Sequence, residues 1–262
     1  MITRRRALAF VSILFLASAA YGAEIKVMTS GAFTAAYLQL VPEFERITHD
    51  KVVTAYGASM GNAPDSIPSR LQRGEPVDVV ILAAPALDDL IKQGRVVSGS
   101  RVDLVRSSIG MAVRAGASKP DISTVEALKR TLLEAKSIAY SDSASGVYLS
   151  KQMFERLGIA DQIASKCKRI QSEPVGAVVA RGDAEIGFQQ ISELLPVPGI
   201  AYVGPLPEDV QKVTVFSAGV VVGAKRPDAA RALIKFLASP AAAPAITKSG
   251  LEPTLALTEP RP

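Results

Sequence analysis

The chain has 262 residues, 30 Lys and Arg against 25 Asp and Glu, one cysteine, one histidine and no tryptophan. Its formal charge is +5, and setting aside Arg4, Arg5 and Arg6 leaves only +2, with no basic cluster to track a phosphate backbone, so nucleic acid is excluded as a partner. A lone Cys167 excludes an internal disulfide, and a single His49 far from it argues against a zinc centre, so no metal and no cofactor are expected.

Arg4 to Arg6 followed by the apolar run Ala7–Ala20 and the small residues around Gly22 and Ala23 predict a secretory signal peptide over residues 1–22. The run is shorter than the ~20 residues a spanning helix needs. A periplasmic protein cleaved near Gly22 or Ala23 is therefore expected.

Ile25–Met28 reads as a strand that breaks at Thr29-Ser30-Gly31 and opens a helix through Ala35–Ile47. Backbone N–H groups at such a break cradle an anion without a charged side chain. Val52–Tyr56 is a second strand running into the turn Gly57-Ala58-Ser59-Met60-Gly61, followed by a helix at Ile67–Gln72. Val77–Leu82 is a continuous apolar strand and Leu87–Lys92 a helix. Ile109–Arg114 is a strand, Ser123–Ala135 a helix capped by Ser123, and Ser137–Ser141 a strand. It leads into the turn from Asp142 to Tyr148 and a helix ending near Gly158. Val175–Ala180 is helical and Ala184–Phe188 a strand, with Gln189 and Gln190 just past it. Val213–Val222 is a strand, and helices follow at Asp228–Leu237 and from Ser239 to about Gly250. Residues 254–262 read as a loose tail.

Strands alternating with helices predict an α/β fold whose ligand lies at the carboxyl ends of the strands. The turns after Met28, Tyr56, Leu82, Tyr140 and Phe188 are expected to line one cleft.

In order along the chain stand Val27 to Thr34, Gly57-Ala58-Ser59, Arg73-Gly74-Glu75-Pro76-Val77-Asp78-Val79, Ser143 to Tyr148, Arg181 to Gly187, and Phe236-Leu237-Ala238-Ser239-Pro240. With these landmarks the chain resembles the molybdate-binding family of type 2 periplasmic binding proteins over roughly Glu24 to Pro253. The runs from Gly57 to Gly61, Ser141 to Tyr148 and Gly187 to Glu193 resemble its periplasmic aconitate isomerase branch.

The resemblance implies two lobes, each a mixed, mostly parallel sheet flanked by helices, with the ligand cleft between them. Lobe 1 would comprise residues 23–108 and 216–253, and lobe 2 residues 109–215, with Ile109–Val113 and Val213–Ala218 as the crossing segments. Two serines and a tyrosine hold the oxyanion in the molybdate binders. The first serine falls on Ala32 here, the second is kept as Ser59, and the tyrosine falls on Gln190. Phe33, Met60, Gln189 and Gln190 suit a larger, partly organic anion.

The binding set expected is Ser30, Gly31, Ala32, Phe33, Ser59, Met60, Ser143, Ser145, Gln189 and Gln190, with Arg70 or Arg114 as a cation for a tricarboxylate. Each of the serines has an equal alternative as a helix cap only, and Phe33 and Met60 as core. Candidate bases, in order of preference, are Tyr148, Glu193 and Asp142; each also has a purely structural reading, in packing, solvent exposure or turn formation. Two functions stay open. One is a monomeric isomerase that interconverts cis- and trans-aconitate without a cofactor. The other is a non-catalytic receptor delivering an organic carboxylate, or an oxyanion such as molybdate, to a membrane ABC permease.

Overall fold

The computed structural model describes residues 22–254, so the signal-peptide run and the tail beyond Thr254 lie outside the described residues. Eleven strands are described: β1 (Glu24–Thr29), β2 (Lys51–Tyr56), β3 (Val79–Ala83), β4 (Val102–Ser107), β5 (Ile109–Arg114), β6 (Ile138–Ser141), β7 (Cys167–Ile170), β8 (Ile186–Gln190), β9 (Ile200–Pro205), β10 (Thr214–Val220) and β11 (Glu252–Pro253). They form two sheets, ordered β11-β4-β10-β3-β1-β2 and β7-β6-β8-β5-β9. The sheets are mixed, and most strands of each run one way, with only β10 and β11 in the first and β5 in the second reversed. Only β1 with β2 and β3, and β6 with β7 and β8, pair in parallel, while β10, β4, β11, β5 and β9 all join antiparallel. The antiparallel pairs follow from the path of the chain, because β5 enters the second sheet and β10 returns to the first against the direction of the βαβ strands beside them.

Every residue of β3 is buried, as its Val-Val-Ile-Leu-Ala sequence demands of a strand covered on both faces. The helix Gly31–Thr48 lays Phe33, Ala36, Tyr37, Leu40 and Phe44 onto the first sheet at helical spacing, and it ends where His49 turns into the left-handed region at φ 62°. The helix Val125–Glu134 is capped by Thr124, which accepts from Ala127 N–H at 3.1 Å. The expected cap Ser123 instead gives its N–H to Asp121.

The chain crosses between the sheets at Ser108 and again between β9 and β10. Ile109–Val113 and Val213–Ala218, expected as crossings, are strand segments within β5 and largely within β10. Gln211 ties the two crossings together: its Oε1 accepts from Ile109 N–H at 2.8 Å and its Nε2 donates to Ile109 O at 2.9 Å. Thr254, expected loose, is fixed by its N–H on Leu104 O and its hydroxyl on Asp103 O.

Asp78 pins the amino end of the first sheet. It is 3% exposed, and its carboxylate accepts from Lys26 N–H at 2.8 Å, Lys225 N–H at 2.7 Å and Arg226 N–H at 3.3 Å. Asp78→Ala strands three donors and is expected to cost about 3 kcal/mol, read as a lowered urea midpoint with an unchanged slope.

Candidate functional site

Four of the five expected turns meet in one cavity of about 210 Å³ between the sheets. The turn after Leu82 does not line it; that end of β3 is used internally, where Ala83 N–H donates to Ser59 Oγ at 2.9 Å. A turn that carries no expected residue takes its place, Gln171-Ser172-Glu173-Pro174 after β7. It was missed because the half-exposed Cys167-Lys168-Arg169-Ile170 has no apolar strand signal, and Ser172 at φ 59° follows no sequence rule. Ser172 Oγ donates to Asp65 Oδ1 at 2.7 Å across the mouth, joining a loop of the first sheet to one of the second.

Ser30, Gly31, Ala32, Ser59, Ser143, Ser145, Gln189, Gln190, Asp142 and Glu193 all line the cavity, as expected of them. Ser30 precedes the 18-residue helix Gly31–Thr48 but makes no side-chain cap bond, and its buried hydroxyl has no partner. The capping role is therefore unfilled and the hydroxyl is free for a ligand. Ser59, having accepted from Ala83, keeps its own proton to donate. Ser143 likewise makes no cap bond, and Ser145 shares a hydrogen bond of 3.0 Å with Ser141.

Five expected residues are not brought to the cavity. Phe33 is fully buried in the core of the first sheet, edge-on to Tyr37, because the helical period turns it inward. Met60 packs against the first-sheet core clusters. Arg70 pairs with Glu75 at 2.6 Å and donates to Tyr56 O at 3.2 Å. Arg114 ends β5 on the surface. Tyr148 lies in the second-sheet core with its hydroxyl on Val210 O at 2.9 Å; burial pushes its pKa up, so it stays protonated and occupied, and does not serve as a base. Asp142, although in the wall, is held by Gln171 Nε2 at 2.8 Å and by the Arg169 guanidinium at 3.4 Å.

Glu193 is different. The short helix Ile191–Leu194 that follows β8 brings it against the start of the helix Gly31–Thr48, where a β-carbon on Gly31 would stand 2.0 Å from Glu193 Oε1. Ser192 secures the approach, its hydroxyl donating to Ala32 O at 2.7 Å. Burial pushes the Glu193 carboxyl up to about 7. The Gln189 side chain and the Gln190 backbone N–H oppose that rise without cancelling it. Gln189 is itself locked. Its Oε1 accepts from Val175 N–H at 3.0 Å, so its Nε2 must face Glu193 Oε1, also at 3.0 Å.

The arrangement thus offers a helix N-terminus, several hydroxyls and an amide to an anion, beside one carboxyl poised to gain or lose a proton near neutrality. Among the described residues no three His, Cys, Asp or Glu side chains converge as a metal site would require, and no helix is long and apolar enough to cross a membrane.

Residues 25–252 match the family model described as bacterial extracellular solute-binding protein. The chain is 50% identical over 229 residues to an aconitate isomerase of a Pseudomonas species, covering 87% of each chain. It is 29% identical over 251 residues to the molybdate-binding protein ModA of Azotobacter vinelandii, covering 90% of this chain and 92% of that one. Among solved structures, the Azotobacter vinelandii periplasmic molybdate-binding protein superposes with a TM-score of 0.69 at 22% identity, over 90% of this chain and all of that one. The two mixed sheets, the cavity between them and these likenesses agree, and the chain belongs to the bacterial extracellular solute-binding proteins.

Proposed function

We propose that the protein is an aconitate isomerase built on a solute-binding scaffold, with Glu193 as the proton-transferring base. The observation that carries the assignment of the base is the Glu193 carboxyl, placed in the cavity wall against Gly31 at the start of the helix Gly31–Thr48 and raised to about 7 by burial. The 50% identity to a Pseudomonas aconitate isomerase supports the choice of substrate.

The reaction is an allylic proton shift. Glu193 carboxylate takes a proton from the substrate methylene, and the C–H electron pair becomes the new double bond while the old one opens toward its far carbon. The same proton then returns to that carbon. One proton has moved, nothing is oxidised or reduced, and the geometry of the new double bond follows the conformation in which the carboxylates are held. The developing negative charge falls near Ser30 Oγ and the N-terminal N–H groups of the helix Gly31–Thr48, whose dipole points its positive end at the cavity.

The protein acts in this reading as a periplasmic monomer. The fold is anchored from Ala23, whose N–H donates to Asp50 at 2.7 Å and whose carbonyl accepts from Lys51 N–H, which supports cleavage of the leader near Gly22 or Ala23. The likeness to a molybdate-binding protein favours a second reading, a receptor handing an anion to a permease.

Chromatography of cis-aconitate incubated with a trace of protein tests the two. Trans-aconitate accumulating over many turnovers, and lost on heating the protein, is expected. Conversion absent from folded protein leaves the receptor reading.

A further inference from the structure

The cavity supplies no fixed positive charge. Among the described residues its wall contains no lysine and no arginine, while Asp65, Asp142, Glu173 and Glu193 all border it, with Tyr56 the other ionisable side chain there. Asp142 and Glu173 are answered from outside the wall by Arg169 and Arg181. Asp65 receives only the Ser172 hydroxyl, and Glu193 only an amide and a backbone N–H. A fully ionised tricarboxylate entering this place meets like charge with no counter-cation in the wall, which favours protonation of one of the facing groups.

Gln190 indicates which group. It is 1% exposed in the wall, and neither its Nε2 nor its Oε1 has a partner. A carboxylate can answer only the Nε2 and leaves Oε1 an orphaned acceptor facing negative charge. A neutral carboxyl group carries one acceptor and one donor, and closes a ring of two hydrogen bonds with a primary amide, satisfying both atoms.

We propose that the cavity takes its polycarboxylate with one carboxyl group protonated and seated on the Gln190 amide, so that binding draws a proton from solution; this rests on the tricarboxylate reading above. The neutral carboxyl also serves the reaction, because it accepts the electron pair released at the allylic carbon with less accumulation of charge than a carboxylate does.

The probe is propane-1,2,3-tricarboxylate, which has no double bond to move. Its binding is measured by calorimetry between pH 6 and 8.5, in pairs of buffers of different ionisation heat, with the wild type and with Glu193→Gln, which cannot itself take the proton. About one proton taken up per ligand by Glu193→Gln is expected, with Kd rising about tenfold per pH unit at the alkaline end. Wild type shows uptake in the same direction, and Gln190→Leu in the Glu193→Gln background loses it. A Kd independent of pH with no proton exchange overturns the proposal, as does an unchanged uptake in the Gln190→Leu protein. Failure of wild type to bind the probe at all overturns the tricarboxylate reading along with it. Turnover of cis-aconitate alongside proton-silent binding overturns this proposal alone.

Discussion

Glu193→Gln is expected to lower turnover of cis-aconitate by about 10³-fold while the protein stays folded. Glutamine keeps the shape of the side chain, and the space against Gly31 stays filled, but it has no lone pair basic enough to take a methylene proton. A second readout separates this from mere damage. The folded Glu193 carboxyl titrates at about 7, against an ordinary value of 4.5. A raised value means that the stability tied to this group is whole below about pH 4.5 and is lost as pH rises through 7. Glutamine carries no such penalty. Urea midpoints of the two proteins should therefore nearly coincide at pH 4.5, and the variant should be the more resistant at pH 8. In wild type, kcat/KM should fall about tenfold per pH unit well below pH 7, where the base becomes protonated. Equal midpoints at pH 8 together with undiminished turnover would remove Glu193 from the mechanism.

How much of this could be read from residues alone divides along physical lines. β3 is visible in the sequence because a strand buried on both faces is a continuous apolar run, whereas only the apolar part of β8 is, and Gln189 and Gln190, expected just past it, are its last two residues. β4, β7 and β9 are not visible, since each leaves residues half-exposed and carries charge or a turn-former: Asp103 and Arg106 in the first, Lys168 and Arg169 in the second, Gly204-Pro205 in the third. The strand-to-helix breaks at Ser30 and Ser143 are legible, because a strand that runs into small residues before a helix leaves N–H groups pointing outward; Ser59, expected at a third, lies in a loop, and the helix that follows starts only at Ile67 with Ser66 as its cap. The choice of base is not legible. Tyr148 and Glu193 stand equally near small-residue turns in the sequence, and what separates them is long-range. Val210, 62 residues away, occupies the Tyr148 hydroxyl, while β8 and its following helix deliver Glu193 to the far side of the molecule, onto Gly31. Phe33 shows the complementary failure: adjacency to a binding turn suggests a wall residue, yet one further residue along a helix turns a side chain by about 100°, here from cavity to core.

Gly31→Ala is expected to cost about 10²-fold in turnover and only about 1 kcal/mol in stability. The first residue of the helix Gly31–Thr48 has no positive φ to protect, so alanine suits the backbone there and is the better helix former. What its β-carbon meets, at 2.0 Å, is Glu193 Oε1. That atom is the end of a side chain free to rotate away, so the collision is relieved by moving the carboxylate by an ångström or more. Movement breaks the bond from Gln189 and takes the base out of line with the substrate methylene, and a misplacement of that size is worth about two orders of magnitude in rate. Gly57→Ala makes the comparison sharp. There the β-carbon meets the backbone carbonyl of Asp65 at 2.1 Å, a nearly equal overlap with an atom that cannot swing aside. That strain must shift the loop carrying Ser59 and is expected to cost about 2 kcal/mol of stability. Thermal melts and cis-aconitate turnover measured on both variants should therefore separate, with Gly31→Ala only slightly destabilised and slow and Gly57→Ala clearly destabilised. A Gly31→Ala protein that melts and turns over like wild type would mean that the carboxylate need not lie against this helix for the reaction to proceed.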